Sequence, residues 1–127
     1  MSPTSNRADP KDRFKIRVLL LDDNQAFLRV ANTFLRRQHE LIVVGAMCGV
    51  EEALIQVQDL RPQVILVGLD RPGLEAISRL REALPGVGIV ALTLLAGNAY
   101  RQAALTVGAD DLVCKTELVT DLGPAIC

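Results

Sequence analysis

Asp22, Asp23, Asp70, Thr93 and Lys115 are the side chains in this chain best suited to chemistry on a charged group. Two adjacent carboxylates, Asp22 and Asp23, repel each other and favour a divalent cation or an ammonium nearby. Lys115 can supply that ammonium. Asp70 lies two positions beyond Gly68, where a third carboxylate could join the first two around a weak cation or pair with Lys115. Taken singly, each of these residues could be a solvated turn. Their placement argues otherwise, because the acidic pair, Thr93 and Lys115 each close a different apolar stretch.

Those stretches are the elements that must position the site. Val64 to Val67 is continuously apolar, β-branched and too short for a helix, so it reads as a strand covered on both faces in the middle of a parallel sheet. Pro62 opens it and Arg71-Pro72-Gly73 closes it. Ile16–Leu21, Leu41–Gly45, Gly88–Leu94 and Asp111–Cys114 read as the other strands. Helical stripes separate them: Phe27, Ala31, Phe34 and Leu35; Val50, Ala53, Leu54 and Val57; Leu74, Ile77, Leu80 and Leu84; Tyr100, Ala103, Ala104 and Val107. Asn24 is placed to cap the first helix, Arg36-Arg37 suit its C-terminus, and Gly108 ends the fourth. Leu118, Val119, Leu122 and Ile126 begin a fifth helix that Pro124 interrupts.

Strand and helix alternate, with connections long enough for right-handed crossovers. The expected fold class is therefore α/β, a doubly wound parallel sheet with helices on both faces, and its five strands are expected in the order 2-1-3-4-5 that is common in such sheets. In such a sheet, ligands collect beyond the C-terminal strand ends, here around Gly68 to Asp70. Residues 1–13 are polar, with nothing to bury, and are expected to form a flexible tail before a single domain over 14–127.

Composition narrows the function. Half of the 127 residues are hydrophobic, yet there is no Trp, one Tyr and three Phe, so the core must be aliphatic. A net charge of −1 gives no electrostatic case for nucleic acid, and no Lys/Arg run suggests a membrane surface. No apolar stretch approaches the ~20 residues of a membrane span, and the N-terminus lacks a signal peptide's hydrophobic segment. A cytoplasmic location is expected, with Cys48, Cys114 and Cys127 as incidental thiols. His39 reads as a solvated loop residue, Tyr100 as core packing, Glu51-Glu52 as a solvated first turn, and Arg79 and Arg81 as surface charge.

From about Lys15 to Ile126 the chain resembles the receiver domain of two-component response regulators, most closely the receivers that precede a helix-turn-helix DNA-binding domain. The resemblance rests on Val18-Leu19-Leu20-Leu21-Asp22-Asp23-Asn24 and on Val43-Val44-Gly45 followed by Glu51-Glu52-Ala53-Leu54. It rests further on Pro72-Gly73, on Ile89-Val90-Ala91-Leu92-Thr93, and on Val107-Gly108-Ala109-Asp110 leading to Lys115. It implies a flavodoxin-like, CheY-like fold and a signalling module that is not an enzyme. In that family the acidic pair binds Mg²⁺, and an Asp ending the third strand takes a phosphoryl group from a histidine kinase. A Ser/Thr and a Lys contact the phosphate and shift the face of the fourth helix and fifth strand. Carried over, Asp22 and Asp23 match the acidic pair, Thr93 the hydroxyl and Lys115 the lysine. The phosphoacceptor position, four residues before Pro72, is Gly68.

Further departures point the same way. The loop after Pro72-Gly73 looks shorter than the family pattern. Leu94 follows Thr93 where the family prefers a small residue, and Leu112 stands three before Lys115, where an aromatic usually acts as the switch. Asp70 is a poor substitute acceptor, since two extended residues displace it by about 6–7 Å and a 1 Å misplacement can cost ~10²-fold. The expectation is an atypical receiver, not phosphorylated at the usual site and acting by protein–protein contact, with Lys115 neutralising the acidic pair and Mg²⁺ binding weak at most. Expected partners are its own DNA-binding output domain or another protein, a histidine kinase, and a second copy through the face of the fourth helix, fifth strand and fifth helix. No direct contact of this domain with nucleic acid or membrane is expected. The interrupted fifth helix favours a piece of a longer regulator over a stand-alone module. Two other readings stay open: a working phospho-receiver using Asp70, and a small-molecule sensor using the vacated Gly68 pocket.

Overall fold

Strand and helix alternate along the chain, as the hydrophobic periods require, in a computed structural model that describes residues 15–68, 73–94 and 98–115. The elements are β1 (Ile16–Leu21), α1 (Gln25–Arg36), β2 (Leu41–Met47), α2 (Val50–Leu60), β3 (Val64–Gly68), α3 (Gly73–Ala83), β4 (Gly88–Thr93), α4 (Asn98–Thr106) and β5 (Asp111–Cys114). The strands form one five-stranded sheet of order β2-β1-β3-β4-β5, every pair parallel.

The two-residue period of the strands sorts the core into two layers. Leu19, Leu21, Ile65, Val67, Ile89 and Ala91 face α2 and α3, packing with Val50, Ala53, Val57, Ala76, Ile77 and Leu80. Val18, Leu20, Leu66, Val90, Leu92 and Val113 share the opposite layer with Leu28, Ala31 and Leu35 of α1. Central strands buried on both faces must be apolar throughout, which is the pattern of Val64 to Val67. Among the described residues the buried core holds no aromatic ring.

Asn24 caps α1 as expected, its Oδ1 accepting the Phe27 N–H at 3.0 Å. β2 runs on to Met47, past the Gly45 boundary read from sequence. The register slips between Val18 and Leu19 on β1, and the ladder then continues through Leu21 and Met47. The Asp22 N–H extends it by donating to Met47 O at 3.0 Å.

Two surface assignments need correcting. Tyr100 is not core: it is 44% exposed, because α4 buries only Ala104 completely. Arg81 is not ordinary surface charge. Its guanidinium donates to Gly108 O (3.0 Å), Pro85 O (3.0 Å), Val87 O (2.6 Å) and Asp110 Oδ2 (2.8 Å). Asp110 Oδ2 also accepts the Ile89 N–H at 2.8 Å, so one arginine ties α3 to β4 and to the turn before β5. Gly108 sits at φ +123°, and a Cβ there would lie 2.9 Å from Arg81 Cβ and Cγ. Arg79 forms a 2.5 Å ion pair with Glu51, joining α3 to α2 on the surface. His39 is exposed. The expected tail over 1–13, the interrupted helix with Pro124, and Asp70 and Cys127 lie outside the described residues. No helix among the described residues is long and apolar enough to cross a membrane.

Candidate functional site

Strand register assembles the site. Leu21 pairs with Val67, which brings the next residues, Asp22 and Gly68, together at the C-terminal edge of the sheet. Gly68 pairs with Leu92 and Thr93 with Cys114, so Thr93 and the adjoining Lys115 complete the same edge. Alternation then decides the side. Asp22, Gly68 and Lys115 continue the rows of Leu20, Leu66 and Val113, which face α1. Phe27, in the first turn of α1, packs against that layer.

Lys115 Nζ lies 2.6 Å from Asp22 Oδ2, and the two side chains are 3% and 1% exposed. Oδ2 accepts no well-aligned hydrogen bond. The contact is nevertheless an ion pair, since 2.6 Å leaves no room for solvent between the charges. Asp22 Oδ1 accepts the Asn24 N–H at 2.9 Å, tying the pair to the residue that caps α1. The ammonium also stands 4.4 Å from the centroid of the Phe27 ring, within cation–π range. Two charges withdrawn from water cost several kcal/mol each, and only close pairing of this kind offsets the cost.

Gly68 makes the arrangement sterically allowed. A Cβ on Gly68 would fall 2.2 Å from Asp22 Oδ2 and 2.6 Å from its Cγ. The Asp22 carboxylate therefore occupies the volume that any side chain at position 68 would need.

The two neighbouring acids part company: Asp22 is buried and Asp23 exposed, as successive residues at the end of a strand point opposite ways. Lys115 thus pairs with Asp22 rather than with both. Thr93 is buried at the end of β4. Leu94 is exposed, and Leu112 is half-buried against the α2–α3 layer. Asp70 lies outside the described residues. Among the described residues, no group of three or more His, Cys, Asp or Glu side chains could hold a metal ion. Phe27 is the residue that sequence reasoning missed. It counted only as one member of a helical stripe, although an aromatic one turn beyond an acidic pair was a signal that it could meet their counter-ion.

Comparison with known proteins shows the family and the fold. A family model described as the response regulator receiver domain matches residues 18–126. Response regulator protein VraR of Staphylococcus aureus is 29% identical over 114 residues, covering 87% of this chain and 54% of VraR. The chain thus spans about half the length of the curated relatives it matches. Among solved structures, the response regulator domain of Thermotoga maritima CheB superposes with TM-score 0.76 at 26% identity, over 88% of this chain and 93% of that one. The receiver domain of the putative response regulator NarL from Mycobacterium tuberculosis gives TM-score 0.74 at 24% identity, over 87% and 96%. The Salmonella typhimurium response regulator RcsB gives 0.78 at 22%, over 87% and 57%. The last two likenesses are of fold.

Proposed function

The chain belongs to the response regulator receiver domain family, and from that premise we propose that it is an atypical receiver that takes no phosphoryl group at the usual position. It acts instead by protein–protein contact. The observation that carries this reading is the Asp22 carboxylate seated against Gly68, 2.2 Å from where a Cβ would stand. By family spacing, Gly68 is the acceptor position. An acyl phosphate needs a carboxylate oxygen there, and glycine offers none. Asp22, the carboxylate that has taken the space, is 1% exposed and paired with Lys115, so it is closed to an in-line phosphodonor.

The output is proposed from the relatives. VraR continues well beyond the matched span, and a structure of RcsB is described as bound to a promoter. We take this chain to be the regulatory part of a DNA-binding transcription regulator, contacting its own output domain or a second copy through the α4–β5 face, where Tyr100 of α4 is exposed.

The test is direct. Incubation with a small phosphodonor and Mg²⁺, followed by intact-mass measurement, should leave the mass unchanged. A gain of about 80 Da, mapped to Asp70, Asp22 or Asp23, would refute the reading. Gly68→Asp then asks whether only the acceptor is missing.

A further inference from the structure

We infer that Gly68 is a slot for the Asp22 carboxylate, and that filling it dismantles the divalent-cation site that receivers build on their acidic pair. The inference rests on the family reading for what the pocket would otherwise hold.

The residues present do not fit Mg²⁺. That ion demands near-octahedral oxygen ligands and takes one or two carboxylates with water completing its shell. Asp22 cannot be one of them as it stands. Its Oδ1 accepts the Asn24 N–H at 2.9 Å, its Oδ2 is 2.6 Å from the Lys115 ammonium, and its side chain is 1% exposed. A cation drawn to Oδ2 would also meet that ammonium at close range, a like charge in a poorly screened site. Only Asp23 of the pair reaches solvent. Two acids that look like a metal motif in the sequence are thus divided between an internal ion pair and the surface.

Glycine at 68 is what permits the division. The inward carboxylate and a side chain at this position exclude each other, since Cβ would fall 2.2 Å from Oδ2 and 2.6 Å from Cγ. The backbone itself sets no such demand, because the glycines with positive φ are Gly73 and Gly108 and not Gly68. Position 68 therefore does more than lack a nucleophile. It lets the chain supply its own anion to Lys115, so that the lysine is held in place without phosphate or cation. Even a single methyl group at 68 would force the Asp22 carboxylate to move from where it sits.

Thermal melts with and without MgCl₂ test the device. The Tm of the unmodified protein should not move with Mg²⁺ up to about 10 mM, because a ligand stabilises only a state it binds. Gly68→Ala should lower the Tm in Mg²⁺-free buffer and make it rise on adding Mg²⁺, as Asp22 turns outward beside Asp23. In an Asp22→Ala/Lys115→Met background, which leaves neither charge buried alone, Gly68→Ala should cost little of the Tm. If Gly68→Ala fails to fold alone, its folding in that background supports the slot, and failure in both overturns it. Saturable Mg²⁺ stabilisation of the unmodified protein overturns it too, as does an equal Tm loss from Gly68→Ala in both backgrounds. The phosphodonor experiment can succeed or fail whichever way these melts fall, so the two readings are separately testable.

Discussion

Lys115 and Asp22, from opposite ends of the chain, form an ion pair 2.6 Å across that solvent scarcely reaches. The Phe27 ring lies 4.4 Å from the ammonium, so the lysine is held by a carboxylate and an aromatic together. A pair so placed is expensive to make and more expensive to break, because removing either partner strands the other charge in a low-dielectric site.

Lys115→Met and Asp22→Asn should each destabilise the domain by about 3–5 kcal/mol, whereas the double variant should lie close to the unmodified protein. Urea unfolding of all four proteins measures this. Additive losses would show that the two charges are not coupled.

Phe27→Leu preserves an apolar side chain but removes the π face, and should cost about 0.5–2 kcal/mol. In the Lys115→Met background the same change should cost clearly less. Equal costs in both backgrounds would assign Phe27 to packing alone.

Arg81→Ala should lose about 2–3 kcal/mol, since it removes a charged donor serving several carbonyls and leaves Asp110 without its cation. Arg81→Lys should recover little, because one ammonium cannot reproduce the planar fork. Gly108→Ala should cost about 1–3 kcal/mol, given its left-handed φ and the Arg81 side chain 2.9 Å from the added Cβ. Denaturant midpoints decide all three.

The hydrogen bond and charge of Arg79 hold the Glu51 carboxyl below its ordinary pKa, while Glu51 in turn raises that of Arg79. A carboxylate whose pKa is lowered in the folded state stabilises above its unfolded pKa and ceases to do so as pH falls through the folded one. The Tm gap between Glu51→Gln and the unmodified protein should therefore be present at neutral pH and close on acidification. Both side chains face solvent, so the gap should be small and should shrink in high salt. A gap that widens in acid would contradict the pairing.

Much of this protein was legible in its residues. The apolar run Val64 to Val67 marks the central strand, the spacing of Ala31 and Leu35 or of Ala53 and Val57 marks helix faces, and Asn24 and Gly108 mark helix ends. Those features follow from burial and backbone geometry within a few residues. The order β2-β1-β3-β4-β5 and the edge holding Asp22, Gly68, Thr93 and Lys115 could be anticipated from the doubly wound topology and the receiver resemblance instead. Tertiary structure alone decided which acid of the pair turns inward, that Arg81 is a brace, and that Phe27 meets the ammonium. Asp22, Gly68 and Lys115 are far apart in the chain, and their contact depends on register across the four strands β1, β3, β4 and β5 and on a volume that exists only because position 68 lacks a Cβ. Local periodicity carries no information about such a volume, since it belongs to the space between strands and not to any one of them.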